Sequence, residues 1–394
     1  MTRKICIITG TRAEYGLLRG VIAGVQQATE LQLQLVATGA HLSPEFGLTY
    51  REIEDDGVHI DARVEMLVSA DTASAIAKSM GLGLIGFGDA FDRLRPDLIV
   101  LLGDRYEILA AASAALVAGI PVMHLHGGEI TEGAFDESIR HAITKMSHLH
   151  CVAAEPYRQR VIQLGELPER VFLVGGLGVD AILHLPLLDR TALEASIDFQ
   201  LGERNLLVTF HPVTLDGAGS SEHQMAELLV ALDALTGTRL IFTMPNADNG
   251  SRALGKMVAD FVASHANSRA YASLGQLRYL SCLRQMDGVV GNSSSGLIEA
   301  PSMGIGTVNI GDRQRGRLAA ASVIDCLPQS ADIVQAIAQL YAPAFRKQLP
   351  HTVNPYGQGG AAAKILQVLQ DQPLHDLLRK PFHDLPSQAG LATA

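Results

Sequence analysis

The chain contains no tryptophan, only 5% aromatic residues and four cysteines in 394 positions. So few aromatics leave little for bases to stack on, which argues against a nucleic-acid platform. A formal net charge of −10 points the same way, because a binder of phosphate backbones needs a basic face. It leaves room for a nucleotide held by a few local arginines. The cysteines, Cys6, Cys151, Cys282 and Cys326, are far apart and form no CxxC pair, so neither a structural zinc site nor a disulfide framework is expected. Long blocks of like charge are missing too, and at 18% charged residues the composition is not that of a disordered chain. No signal-peptide apolar region precedes the first strand pattern. The longest apolar stretch, Ile108 to Val122, is alanine-rich, contains Gly119 and Pro121, and is short for a membrane span. A soluble cytoplasmic protein with no membrane or nucleic-acid partner is the expectation.

What the chain does have is alternation. Hydrophobic residues make up 47%, and the length suits two domains or one large one. Short apolar runs such as Lys4–Thr9, Leu33–Thr38, Leu98–Leu102 and Val122–His126 alternate with helical patterns such as Glu14–Gln27, Thr72–Leu94 and Tyr106–Ala118. Apolar strands separated by helices predict a parallel sheet covered on both faces. The pattern breaks at Gly175-Gly176-Leu177-Gly178, a hinge candidate. A second series then runs from Leu206–Phe210 through Leu240–Thr243, a helix over Ser251–Ser264, Gly288–Val290, a helix over Leu297–Met303, and Thr307–Ile310. Late helices are expected at Ala331–Tyr341 and Ala361–Leu369. The organisation predicted is an α/β domain over residues 1–175, a second over 176–370, and a tail over 371–394 whose polar end, from Lys380, is loose.

In doubly wound sheets, ligands sit beyond the carboxyl ends of the strands, and the unusual polar clusters fall there. In Gly291-Asn292-Ser293-Ser294-Ser295-Gly296, one serine would serve as an ordinary N-cap. Three between two glycines, before a helix, favour an anion cradle, with phosphate as the anion. Arg12, in Thr9-Gly10-Thr11-Arg12, is placed to clamp a phosphate or to be a solvated turn residue; the segment lacks both the dinucleotide glycine spacing and a P-loop lysine. Gly103-Asp104-Arg105 puts a carboxylate and a guanidinium at a strand end, readable as a proton acceptor or as a cap with an ion pair. Glu129 follows His124-Leu125-His126-Gly127-Gly128, where the double glycine lets a substrate approach the backbone. The two histidines lack a third ligand, so no metal is expected. Asp136 opens a helix, where the macrodipole alone explains an acid. His211, before Pro212, is a candidate acid or base. Asn246 lies in a polar turn, and Arg313, Arg315 and Arg317 cluster after Gly311.

Taken together and in this order, Thr9–Gly16, Gly103–Glu107, His126–Glu129, Asp136–His141, Gly291–Gly296 and Gly311–Gln314 resemble the motifs of the hydrolysing UDP-N-acetylglucosamine 2-epimerases of bacterial sialic acid synthesis. The resemblance runs from residue 4 to about residue 363. It implies a GT-B-like fold: two Rossmann-type, doubly wound parallel-sheet domains with the active site in the cleft between them. It implies conversion of UDP-GlcNAc and water to N-acetylmannosamine and UDP, with no cofactor, and a homo-oligomer, a dimer or a tetramer. Asp104, Glu129 and His211 match the catalytic positions, and Asp136 matches a further acid. Arg12, Ser293, Ser294 and Arg313 are carried over to the diphosphate, Arg105 to UDP without a finer role, Glu299 to the ribose hydroxyls, and Asn246 to another nucleotide-side position. Gly16 stands where some relatives carry a side-chain donor, which leaves only a backbone contact there.

The resemblance does not choose the sugar. A hydrolysing 2-epimerase of UDP-2,4-diacetamido-2,4,6-trideoxyglucose, for legionaminic acid, shares every motif above. A non-hydrolysing relative fits less well, because two glycines precede Glu129 here. A GT-B glycosyltransferase needs an acceptor site. A silent nucleotide-sugar binding module is opposed by the joint presence of Asp104, Glu129 and His211.

Overall fold

The computed structural model describes residues 2–386, apart from 69, 71, 133–134, 214–219 and 245–250. Seven strands form the first sheet: β1 (Arg3–Thr9), β2 (Leu31–Thr38), β3 (Ala62–Val64), β4 (Leu98–Leu102), β5 (Val122–Leu125), β6 (Leu149–Val152) and β7 (Val171–Leu173). Six form the second: β8 (Arg204–Thr209), β9 (Thr238–Thr243), β10 (Ser268–Tyr271), β11 (Gly288–Gly291), β12 (Gly306–Ile310) and β13 (Val323–Cys326). All pairings are parallel. Central strands such as β4, Leu-Ile-Val-Leu-Leu, are buried at every residue because helices cover both faces. Two parallel α/β layers make a GT-B-like fold.

Strand order places the candidate residues. The first sheet runs β3-β2-β1-β4-β5-β6-β7 and the second β10-β9-β8-β11-β12-β13. Chain direction across the sheet therefore reverses between β1 and β4, and again between β8 and β11. At such switch points the flanking crossovers leave on opposite faces and open a crevice at the strand ends. Arg12 and Asp104 follow β1 and β4, while His211 and the serine turn follow β8 and β11.

Several elements depart from expectation for identifiable reasons. The sequence pattern does not announce β10 and β13. Both are short edge strands, half exposed, without the apolar run of an interior strand. The helix expected over residues 297–303 is a single α turn, Ser295–Ile298, then a 3-10 turn, Ala300–Met303. Pro301 has no N–H to continue the α-helical ladder. The Ala361–Asp371 helix, expected with the second domain, lies on the first. Its Ala361, Ile365, Val368 and Leu369 join the core of Ile5, Leu18, Val21 and Val25, and Asp180 accepts from Ala361 N and Ala362 N at its start. An amphipathic helix with that stripe needs an apolar face to cover, and the Arg12–Gln27 helix offers one. The tail beyond Lys380 is also not loose over its described part. Lys380 Nζ donates to Lys145 O, Ser147 O and buried Glu166. His383 N donates to Gly165 O at 2.9 Å, which seats the stretch of tail carrying Phe382 against Gly165.

The chain crosses between the two layers twice, near Gly175–Leu177 and near Tyr356, and the crossings are bonded to each other through Gly176 N to Tyr356 O at 2.8 Å. The glycine run is thus a pinned crossing. Among the described residues no helix is long and apolar enough to cross a membrane.

Candidate active site

In the first domain the site is built around one buried arginine. Arg140, 1% exposed, lies one turn into the Asp136–Met146 helix. Its guanidinium donates to Asp104 and Thr131, to Glu129 O at 2.8 Å and to Glu137 Oε2 at 2.7 Å. Burial alone would lower its pKa, but Asp104, Glu129 and Glu137 together raise it, so the guanidinium stays charged and fixes the Asp104 turn. His124 fixes the same turn from below, with Nε2 2.7 Å from Gly103 O and Nδ1 3.1 Å from Thr144 Oγ1. Fully buried, it is pushed down to about 3 and is neutral. Both of its nitrogens are engaged within the protein.

Glu129 is held from both domains. Its Oε1 is 2.8 Å from His126 Nδ1, and its Oε2 is 3.5 Å from Arg317 of the second domain. Burial raises a carboxyl pKa, yet Arg317, His126 and Arg140 outweigh it and hold Glu129 down at about 2. The tautomer of His126 follows from its other bond. Leu177 N donates to Nε2 at 3.3 Å, so the ring proton sits on Nδ1 and is given to Glu129. The double glycine before Glu129 is required by packing. A Cβ on Gly128, at φ +77°, would overlap the carbonyl oxygen of Tyr157, and one on Gly127 would press on Thr144 and His124.

Glu137 is likewise held down at about 2; burial opposes this, while His141, Arg140 and the Thr131 N–H favour it. For both carboxylates the folded pKa lies below the ordinary 4.5. Their stabilisation is therefore complete above about pH 4.5 and is lost as pH falls toward 2. We expect the melting temperature to fall steeply across that window, and Glu137→Gln to flatten the fall. Thermal melts of both proteins between pH 6 and 2 check it.

In the second domain the strand ends are fastened together by Asn292, which is fully buried. Its side-chain amide accepts from His211 N at 2.7 Å and donates to His211 O at 2.9 Å. Its backbone carbonyl accepts from Arg313 at 3.1 Å and Gln314 at 2.7 Å. The three serines divide their work. Ser295 accepts from Tyr279 at 2.6 Å, Ser293 Oγ accepts from Ser295 N at 3.4 Å, and Ser294 stands at the N-cap with no side-chain capping bond. Glu299 is pushed above its ordinary pKa by burial, and its Oε2 is a buried atom with no hydrogen-bond partner among the described residues.

One loop joins the halves. Residues 313 and 314 hold Asn292 O, Arg315 pairs with Glu132 at 3.4 Å, and Arg317 reaches Ile130 O at 3.2 Å as well as Glu129. Nearby, Tyr157 and Tyr356 share a hydroxyl bond of 3.0 Å, and Leu318 N donates to Tyr157. Two outer contacts complete the closure: Gln276 donates to Gly16 O at 2.5 Å, and Arg252 pairs with Glu45 at 3.0 Å. The second pair is exposed and contributes about 0–1 kcal/mol.

A profile of the family described as UDP-N-acetylglucosamine 2-epimerase matches residues 23–370. This chain belongs to the UDP-N-acetylglucosamine 2-epimerase family. It is similar to a GDP/UDP-N,N'-diacetylbacillosamine 2-epimerase (hydrolyzing) of Campylobacter jejuni, 41% identical over 385 residues, covering 97% of this chain and 99% of the other. Polysialic acid biosynthesis protein P7 of Escherichia coli is 39% identical over 386 residues, covering 98% of each. The crystal structure of UDP-GlcNAc 2-epimerase from Neisseria meningitidis bound to UDP-GlcNAc matches with a TM-score of 0.80 at 18% identity, over 94% of this chain and 100% of that one. That likeness is one of fold.

Set on this epimerase fold, the residues singled out in the sequence fall into groups. Asp104 and Glu129 share the Arg140 network, and Asp136 opens the helix that carries Arg140. His211 and Arg313 meet at Asn292, beside Ser293 and Ser294. Arg12 and Arg105, at the ends of β1 and β4, each carry an ion pair: Arg12 with Glu52 at 3.2 Å, and Arg105 with Glu107 at 3.3 Å. Asn246 lies outside the described residues. Sequence reasoning missed Arg140, His126 and Asn292 as site-builders. Asn292, between Gly291 and the serines, was visible but carried no signal separate from its neighbours. Among the described residues, no group of three or more His, Cys, Asp or Glu is placed to hold a metal ion.

Proposed function

We propose that this chain is a hydrolysing 2-epimerase of a UDP-linked 2-acetamido sugar. Our first reading of the sugar is UDP-GlcNAc, converted with water to N-acetylmannosamine and UDP for sialic acid synthesis. The observation that carries the reading is the loop 311–317, which ties Glu129 of the first domain to the serine turn at the second domain's switch point. In the proposed reaction a base takes the carbon 2 proton, the bond from carbon 1 to the diphosphate oxygen breaks, and a 2-acetamidoglucal forms. Water then adds across the double bond, with hydroxyl at carbon 1 and a proton at carbon 2 on the opposite face. Asp104 and Glu129 are the carboxylates for these proton transfers, with Asp136 as a further acid. His211 hydrogen-bonds or protonates the departing phosphate. Ser293, Ser294, Arg313 and Arg12 hold the diphosphate and neutralise its charge, and Arg105 contributes to UDP binding. Glu299, with one buried carboxylate oxygen unpartnered, suits the donor hydroxyls of a ribose.

A second reading has a specific observation behind it: the Campylobacter jejuni relative is named for N,N'-diacetylbacillosamine. The experiment is a side-by-side assay of UDP-GlcNAc and UDP-2,4-diacetamido-2,4,6-trideoxyglucose in heavy water, with no cofactor added. The expected result is UDP plus the 2-epimeric free sugar carrying deuterium at carbon 2, faster from one substrate than from the other. UDP release without epimer, or epimer without deuterium, sinks the mechanism.

We also propose a cytoplasmic homo-oligomer formed through the outer face of the first domain. There Leu82, Leu84 and Ile85 of the Ala73–Leu94 helix and Leu116 and Val117 of the Tyr106–Ala118 helix are exposed. The two helices pack on each other.

A further inference from the structure

His126 occupies a backbone conformation that is uncommon for any residue but glycine. Its φ is +65°, in the left-handed region, which costs a residue with a Cβ about 1–2 kcal/mol. Glycine or asparagine would sit there more easily, and two glycines follow directly. Just past the end of β5, the ring is buried and sits between two partners. Nδ1 faces Glu129 at 2.8 Å and Nε2 receives the Leu177 N–H at 3.3 Å. Leu177 is the first residue of the Leu177–His184 helix, immediately after the first chain crossing. Strain retained at a position that orients a titratable side chain is the mark of a site that needs the side chain.

We infer that His126 is a positioning residue for Glu129, and that the backbone N–H of Leu177 sets the tautomer with which it does so. The inference rests on the reading that Glu129 serves the reaction. The ring donates one hydrogen bond to the carboxylate and takes no proton from the substrate. Its grip works alongside Arg317 from the second domain and Arg140 from the first, and Tyr157 and Tyr356 lie within electrostatic reach of Glu129. Glu299 of the second domain lies within electrostatic reach of His126. Because Leu177 sits at the crossing, the hydrogen bond that orients the ring comes from the segment on which the two domains join.

The test is a set of substitutions in the full-length protein. His126→Gln removes the donor nearest Glu129. It is expected to lower kcat about 100-fold with little change in KM, and to move the acid limb of the kcat profile up by about one to two pH units, as a carboxylate that loses a donor becomes easier to protonate. His126→Asn keeps a donor at the Nδ1 position and suits the left-handed backbone, so it is expected to recover most of the lost rate and the original acid limb. Leu177→Pro removes the N–H at a first helical position, where proline is tolerated. Leu177→Ala keeps the N–H and controls for the lost side chain, so the proline variant is expected to be about 10-fold slower than the alanine variant. A wild-type acid limb in His126→Gln, no rescue by asparagine, or equal rates for the two Leu177 variants overturns the inference. Full activity in Glu129→Gln would instead sink the reading on which it rests.

Discussion

Glu129→Gln is expected to cut turnover by about 10²–10⁴-fold, the usual share of a positioned acid or base, while UDP still binds. The glutamine is nearly the same size, and the buried site around it is otherwise unchanged. What it loses is the charge that Arg317 and His126 are arranged to meet. Binding should persist because the serine turn and Arg313 are fastened to Asn292 and not to Glu129. The products distinguish its two roles. If Glu129 takes the carbon 2 proton, UDP release stops along with epimer formation. If it delivers water, UDP is still released and the glycal accumulates. Rapid-quench measurement of UDP and glycal in the variant decides between them. Unchanged turnover would remove Glu129 from the reaction.

Gly291→Ala should be the most damaging added methyl among the described glycines. Gly291 ends β11 at φ +140°, paired with Thr209 of β8. A Cβ there would overlap the Thr209 carbonyl oxygen. The clash is with backbone, so no rotamer change relieves it, and β11 must separate from β8. The two strand ends carry His211 and the serine turn, and Asn292 N also donates to Thr209 O at 3.1 Å. The expected loss is about 3–5 kcal/mol of stability, among the largest for a point change, together with loss of UDP affinity. Gly255→Ala is the control. It lies in the Ser251–Ser264 helix with open space beside it, and should gain about 0.5–1 kcal/mol. Denaturant melts and UDP titration of both variants check the contrast. A stable Gly291→Ala that binds UDP would contradict the strand-end geometry.

Interior strands and most helices were legible because their composition is decided by burial. β4 is apolar at all five positions, and the Ser251–Ser264 helix was bounded correctly from its pattern alone. Edge strands β10 and β13 were not legible, since a half-exposed edge needs only one apolar residue in two. Candidate positions were legible as strand ends, which is how Asp104, Glu129, His211 and the serine turn were singled out. Their partners were not. Arg313, Arg315 and Arg317 are alternate loop arginines with equivalent sequence settings, yet one holds Asn292 O, one pairs with exposed Glu132, and one crosses to Glu129. Likewise His124 and His126 differ in sequence only by two places. One closes a sheet interior, and the other lies just past the strand end, where the left-handed turn redirects it.

The Ala361–Asp371 helix bears on how the protein is made. The first sheet needs that helix over Ile5, Leu18 and Val21 to finish its core. At about 5–20 residues per second, the ribosome delivers the helix about 10–40 s after β7 has been translated. During that interval the nascent first domain carries an apolar stripe with nothing on it. Synthesis therefore supplies late the missing piece of what was built first, and chains cut short before residue 361 are expected to be clients of chaperones even when all the described strands are present.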